Sequence, residues 1–111
     1  MTTKEFEMQY ALGSLSIAAL EKLARSKRTS KRILTILSTD KNRWVRWNVA
    51  DNPNTPVDIL KKLSKDKDCV VRYRVADNPT TPKETLKILS TDEDRGVRHF
   101  VAKNPNMVRK Q

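Results

Sequence analysis

The sequence predicts an all-α protein in which short helices pair into two-helix units and the units stack as an α-solenoid. Three observations lead there: self-similarity at a 26-residue period, cap and turn chemistry at fixed places within each period, and too little apolar material for a large spherical core. VRWNVADNPNTP (45–56), VRYRVADNPTTP (71–82) and VRHFVAKNPNMV (97–108) align without a gap. The register holds upstream for Leu34, Leu60 and Leu86, for Leu37, Leu63 and Leu89, for Ser38, Ser64 and Ser90, and for Asp40, Asp66 and Asp92. Leu, Ile, Val and Phe make up about 23% of the residues, slightly above the roughly 20% below which a highly charged chain is expected to be disordered. Stacked units resolve this shortage, because each helix buries only a narrow stripe against its neighbours.

A chain of 111 residues allows one domain, read here as 1–111. It divides into a 28-residue N-terminal part and repeats at 29–54, 55–80 and 81–108. Residues 1–28 fit two registers. One places Thr3, Ser14, Ser16 and Ala24 in the columns of Thr29, Asp40, Asn42 and Ala50, a degenerate repeat. The other matches ALEKLAR (19–25) to ILKKLSK (59–65), a lone capping helix. Both put Leu15, Leu20 and Leu23 on helix. In each full unit the first helix is expected to start at an N-capping Thr55 or Thr81, with Pro56 or Pro82 at the first helical position and Asp58 or Glu84 completing a capping box. It ends at Leu63 or Leu89. After a break rich in Ser, Lys and Asp, Asn42, Asp68 or Asp94 caps a second helix. That helix carries Val45 and Val49, Val71 and Val75, or Val97 and Val101 at i,i+4. Asn-Pro pairs at 52–53, 78–79 and 104–105 close it, since the residue before Pro leaves the helical region. Helices this short are unstable alone in water, so stacking supplies the core, and the Ala50, Ala76 and Ala102 column marks close helix approach. After Asn106 the chain reads MVRKQ, without a Thr-Pro pair, so the last second-type helix is expected to lack a following cover.

Composition narrows function. A net charge of +10 favours acidic partners, whether nucleic acid, an anionic membrane or an acidic protein. No apolar run approaches a membrane span and the N-terminus lacks signal-peptide character, so a soluble cytoplasmic protein without membrane attachment is expected. One cysteine, Cys69, and one histidine, His99, give neither an internal disulfide nor a metal site. Two glycines form no phosphate-cradling loop, and the carboxylates sit at caps and turns instead of converging as an acid/base pair. No cofactor, no small-molecule substrate and no enzymatic activity are expected.

Three sets of residues stand out. Arg46, Arg72 and Arg98 each follow Asp40, Asp66 or Asp92 by six residues, near the buried stripe by helical angle, and read as a structural ladder. Trp47, Tyr73 and His99 share a column almost opposite the valines, so they are expected to be largely exposed. With Arg43, Trp44, Asn48, Arg74, Arg95 and Phe100 they form an aromatic face interleaved with Arg, of the kind that stacks bases and holds phosphates. Lys27, Arg28, Lys31 and Arg32 are the densest basic cluster, within a segment, 27–52, of seven basic and two acidic residues. Lys61, Lys62, Lys65 and Lys67 read as a solvated face.

The string VRxxVAxNPxTP followed by a Leu-x-x-Leu helix closely resembles the leucine-rich repeat variant and, more distantly, HEAT-like repeats. The resemblance covers 29–108. It implies a right-handed superhelix of two-helix units, one helix with possible 3₁₀ character, and an Asp-Arg pair tying the turn to the second helix and to the next unit. The last copy departs from the pattern at Asn106, Met107 and Val108, and the iron-sulfur segment of one family member is absent, so no cofactor carries over. The expected function is a non-enzymatic binding scaffold using the second-helix face, concave in such arrays, with nucleic acid as ligand. The alternative is a protein-interaction scaffold for an acidic peptide, or self-association through the uncovered last repeat. A HEAT-like DNA-repair enzyme ranks below both, because no catalytic acid lies over the aromatic face.

Overall fold

The 26-residue register sets where helices begin and end. The structure, a computed structural model, describes residues 1–108; the last three residues of the expected 1–111 domain lie outside it. The described residues form α1 (Thr3–Leu12), α2 (Ile17–Arg25), α3 (Lys31–Leu37), α4 (Arg43–Asp51), α5 (Val57–Leu63), α6 (Cys69–Asp77), α7 (Lys83–Leu89), α8 (Arg95–Lys103) and α9 (Pro105–Val108), with no strand among them. The second-type helices α4, α6 and α8 start 26 residues apart, and α2 has the bounds of α4 less 26 residues. Each packs on the next: α2 on α4, α4 on α6, α6 on α8. The first-type helices α3, α5 and α7 lie against the second-type helix that follows each of them. The molecule measures 45 × 26 × 18 Å.

The core is the predicted columns. Leu34, Leu60 and Leu86 are completely buried, as are Val45, Val71 and Val97 and Val49 and Val75. Each such side chain is worth about 1.5–3 kcal/mol of burial. Ala24, Ala50 and Ala76 are buried where successive second-type helices meet, and Ala102 is exposed.

Five local expectations are corrected. Thr55 and Thr81 do not cap the first-type helices: Pro56 and Pro82 hold the cap position with no side-chain bond, and no capping box forms with Asp58 or Glu84. The threonine hydroxyls instead donate inward to the carbonyls of Val49 (2.6 Å) and Val75 (2.7 Å). Tight turns cause this, because Thr55 N–H bonds Asn52 O and Thr81 N–H bonds Asn78 O, which turns each threonine toward the core. Leu15 lies in the turn between α1 and α2, off the helix, after Gly13 ends α1 in the left-handed conformation (φ 70°) that glycine adopts without strain. Asp68 does not cap α6, because Arg46 and Arg43 draw its carboxylate away, whereas Asn42 and Asp94 do cap α4 and α8. The end of α8 is not bare: Pro105 opens α9, which packs on α7 and α8.

The asparagines before proline do more than end a helix. Asn52 Nδ2 donates to the carbonyls of Ala24 and Ser26, Asn78 Nδ2 to Ala50 and Asn52, and Asn104 Nδ2 to Ala76 and Asn78, at 2.8–3.2 Å. Their Oδ1 atoms accept the N–H groups of Asn54, Thr80 and Asn106. Each amide thus satisfies carbonyls at the C-terminal end of the preceding second-type helix. No helix among the described residues is long and apolar enough to cross a membrane.

Candidate ligand-binding face

The Asp-Arg ladder is built from the turns. Arg46 Nη1 donates to the carbonyl of Asp40 (2.7 Å), while Nε and Nη2 reach the carboxylate of Asp66, twenty residues ahead (2.8 and 3.3 Å). Arg72 repeats this with the Asp66 carbonyl (2.6 Å) and the Asp92 carboxylate (2.8 and 3.3 Å). The Arg46 and Asp66 side chains are each 7% exposed, and pairing outweighs burial, so the pKa of each of the two arginines is held above its usual value. The carboxylate partner comes from the following 26-residue segment, so the pair joins successive segments. Among the described residues Arg98 keeps only the carbonyl half, to Asp92 O, and it is exposed.

The aromatic face is only partly open, which corrects the expected exposure. Trp47, Tyr73 and Phe100 are half-buried and packed against the core, and His99 and Trp44 are exposed, Trp44 to 48%. The aromatics meet edge to face: Trp44 on Trp47 (6.1 Å between centroids), Tyr73 on Phe100 (5.7 Å) and His99 on Phe100 (5.8 Å). The Arg74 guanidinium lies 4.7 Å over the Trp47 ring and is held by Asp77 (3.2 Å) and Asp51 (3.7 Å). Its Nε is buried without a hydrogen-bond partner among the described residues, pressed into this packing. Burial raises the Asp51 pKa, Arg74 lowers it, and the first effect prevails. Arg74 is therefore committed to structure, while exposed Arg43 touches Asp68 only at 3.8 Å and exposed Arg95 has no ion pair among the described residues.

Lys27, Arg28, Lys31 and Arg32 are all exposed, and Arg32 pairs with Glu7 of α1 (2.9 Å). Lys31 and Arg32 stand in the first turn of α3, which packs against α4, the helix that bears the tryptophans, and Lys27 and Arg28 lie in the connection before it. Sequence reasoning missed Tyr10, whose hydroxyl donates to Asp40 (2.5 Å), and the amide stitching of Asn52, Asn78 and Asn104. The asparagines had a signal, since three copies keep Asn where any residue can precede proline. A shallow groove near the N-terminal end is lined by Tyr10, Leu15, Ile17, Leu20 and Asn42. Among the described residues no group of three or more His, Cys, Asp or Glu could hold a metal ion. Compared with known proteins, the chain matches no family model, no curated protein and no solved structure.

Proposed function

We propose that this protein is a non-enzymatic binding module, a right-handed α-solenoid akin to the leucine-rich repeat variant and HEAT-like repeats, that works in the cytoplasm and holds nucleic acid on its second-type helices. The repeat architecture is supported by the 26-residue recurrence of helix bounds, Asn amide bonds and Arg-Asp rungs. The ligand reading rests on one observation: Trp44, 48% exposed, stands beside exposed Arg43 and edge-on to Trp47. A flat indole next to a guanidinium suits an unpaired base and its phosphate. The exposed lysines of the first-type helices, Lys31, Lys61, Lys62 and Lys87 among them, add long-range attraction.

The test is a titration with single-stranded DNA, RNA and random duplex at about 50 and about 200 mM salt, following Trp emission. Single strands quench the emission, affinity falls steeply with salt, and Trp44→Ala weakens binding by about 1–3 kcal/mol. Absence of binding at the lower salt removes the nucleic-acid reading. Retention of a particular protein at the higher salt in its place establishes a protein-interaction scaffold.

A further inference from the structure

We infer that Arg98, with Arg95 one turn before it on α8, is a receptor for the two carboxylates of an Asp-x-Asp turn on a partner protein. The inference stands apart from the nucleic-acid reading: it concerns the end of the ladder, away from Trp44.

The molecule contains the template for this contact. Arg46 and Arg72 hold the same pose, Nη1 on the carbonyl six residues back and the Nε/Nη2 edge on a carboxylate twenty residues ahead. Arg98 keeps the first half, its Nη1 on Asp92 O, and no Nε or Nη2 partner exists among the described residues. A guanidinium is planar, so anchoring Nη1 leaves the opposite edge aimed outward in the geometry that receives a carboxylate bidentately. Ala102 beside it is exposed, whereas Ala50 and Ala76 in its column are buried under the next second-type helix.

Two carboxylates fit better than one. In the first rung Asp68, two residues after Asp66, reaches Arg46 Nη2, with Arg43 Nη1 at 3.8 Å. In the second rung Cys69 stands in the Arg43 column, and Asp94 turns to cap its own helix at Gly96 and Val97. Arg95 restores an arginine to that column at the open rung. The Asp-x-Asp turn also arranges itself, since Asp66 Oδ1 accepts the Asp68 N–H (2.9 Å) and Asp92 Oδ1 accepts the Asp94 N–H (2.8 Å).

A second copy of the chain does not supply this turn. Its own two examples are in use, Asp66 and Asp68 by Arg46 and Asp92 by Arg72, and its first segment has Ser14 where the others have Asp. The charge and spacing of Arg98 and Arg95 suit a partner protein whose acidic Asp-x-Asp turn opens a helix.

The experiment follows arginine Nε–H NMR signals of the full chain, the Arg98 signal being assigned by its loss in Arg98→Ala. The probe is a synthetic peptide of residues 64–78 carrying Cys69→Ser. Arg98 and Arg95 signals shift saturably while Arg46 and Arg72 stay, and a peptide with both aspartates changed to asparagine binds at least about tenfold more weakly. Arg98→Lys, which keeps the charge and loses the fork, weakens peptide binding to a similar extent. Trp quenching by single strands is unchanged in Arg98→Ala, so failure here and failure of the nucleic-acid reading are separate results. Equal binding of the asparagine peptide, full binding to Arg98→Lys, no shift at all, or displacement of the peptide by inorganic phosphate at lower concentration overturns the assignment.

Discussion

At Asp40 a tyrosine does what arginine does at Asp66 and Asp92. Leu20 stands in the column of Arg46, so no arginine holds the Asp40 carboxylate, and the Tyr10 hydroxyl donates to it instead. Burial, and then the Asp40 bond and charge, push the Tyr10 pKa up to about 12. Because this lies above the value of about 10 in an unfolded chain, the contribution is fully present below about pH 10 and is lost as pH rises toward about 12. Tyr10→Phe should cost about 1.5–3 kcal/mol at neutral pH, the range for a hydrogen bond to a charged group. Its deficit relative to the natural chain should shrink between about pH 10 and about pH 12 in denaturant titrations; a constant deficit means that the bond to Asp40 is not the source. This contact was invisible in the sequence because Tyr10 lies outside the clear period and its partner is thirty residues away. Gly96 is a second such site: a Cβ there would lie 2.7 Å from Tyr73 Cε1. Gly96→Ala gains about 1 kcal/mol of helix propensity and pushes the ring off Phe100, a contact worth about 0.5–1.5 kcal/mol. Net stability should change by less than about 1 kcal/mol while the Tyr73 ring resonances move, and unmoved resonances refute the contact.

For the helices, the question is what holds each end. Cap chemistry in the sequence located the starts of α5 and α7 to within a residue or two but misassigned the threonine, because cap propensity does not report that an Asn-Pro turn faces Thr55 inward. The two roles separate experimentally. A capping threonine tolerates Asp or Asn, among the best caps, whereas a buried hydroxyl that donates to Val49 O tolerates Ser and fails with an acceptor-only carboxylate. Thr55→Ser should lose less than about 1 kcal/mol and Thr55→Asp more than about 2 kcal/mol in urea melts; the reverse order restores the cap. The arginine column was legible as structure because its helical angle points near the valine stripe. The partner was not, since six residues separate Arg46 from Asp40 in sequence while the carboxylate it binds is twenty residues ahead. Removing one partner of a buried pair costs about 3–5 kcal/mol, so Arg46→Ala and Arg72→Ala should be severe, whereas Arg98→Ala at the exposed rung should cost less than about 1 kcal/mol. Equal losses at all three positions would show that the carboxylate contributes nothing.

For the whole molecule, the sequence carried the period and the two helix types because both are local patterns of apolar and turn residues. The openness of the aromatic face was not carried, because helical angle gives direction and says nothing of what the neighbouring helix lays over Trp47 or Tyr73. The same neighbour relation governs how stability is distributed. Both α4 and α6 are covered on two sides by second-type helices, α4 by α2 and α6, α6 by α4 and α8, whereas α8 meets one second-type helix, α6, besides its own first-type helix α7 and the short α9. Both also sit between Asn amide contacts and buried Arg-Asp rungs, and α1 is tied mainly through α3 and the Tyr10–Asp40 bond. A stack held by nearest-neighbour contacts opens from its ends, because losing a terminal helix breaks one interface and losing a central one breaks two. Native-state hydrogen exchange should therefore show α4 and α6 amides protected at least about tenfold more than those of α1 and α9, with α2 and α8 between. Arg46→Ala should lower protection in α4 and α6 first, since its rung joins those segments, and leave α8 exchanging at nearly its original rate. Uniform protection from α1 to α9, falling equally everywhere in Arg46→Ala, would mean that the helices unfold as one cooperative block and that the interfaces between successive segments are not separate units of stability.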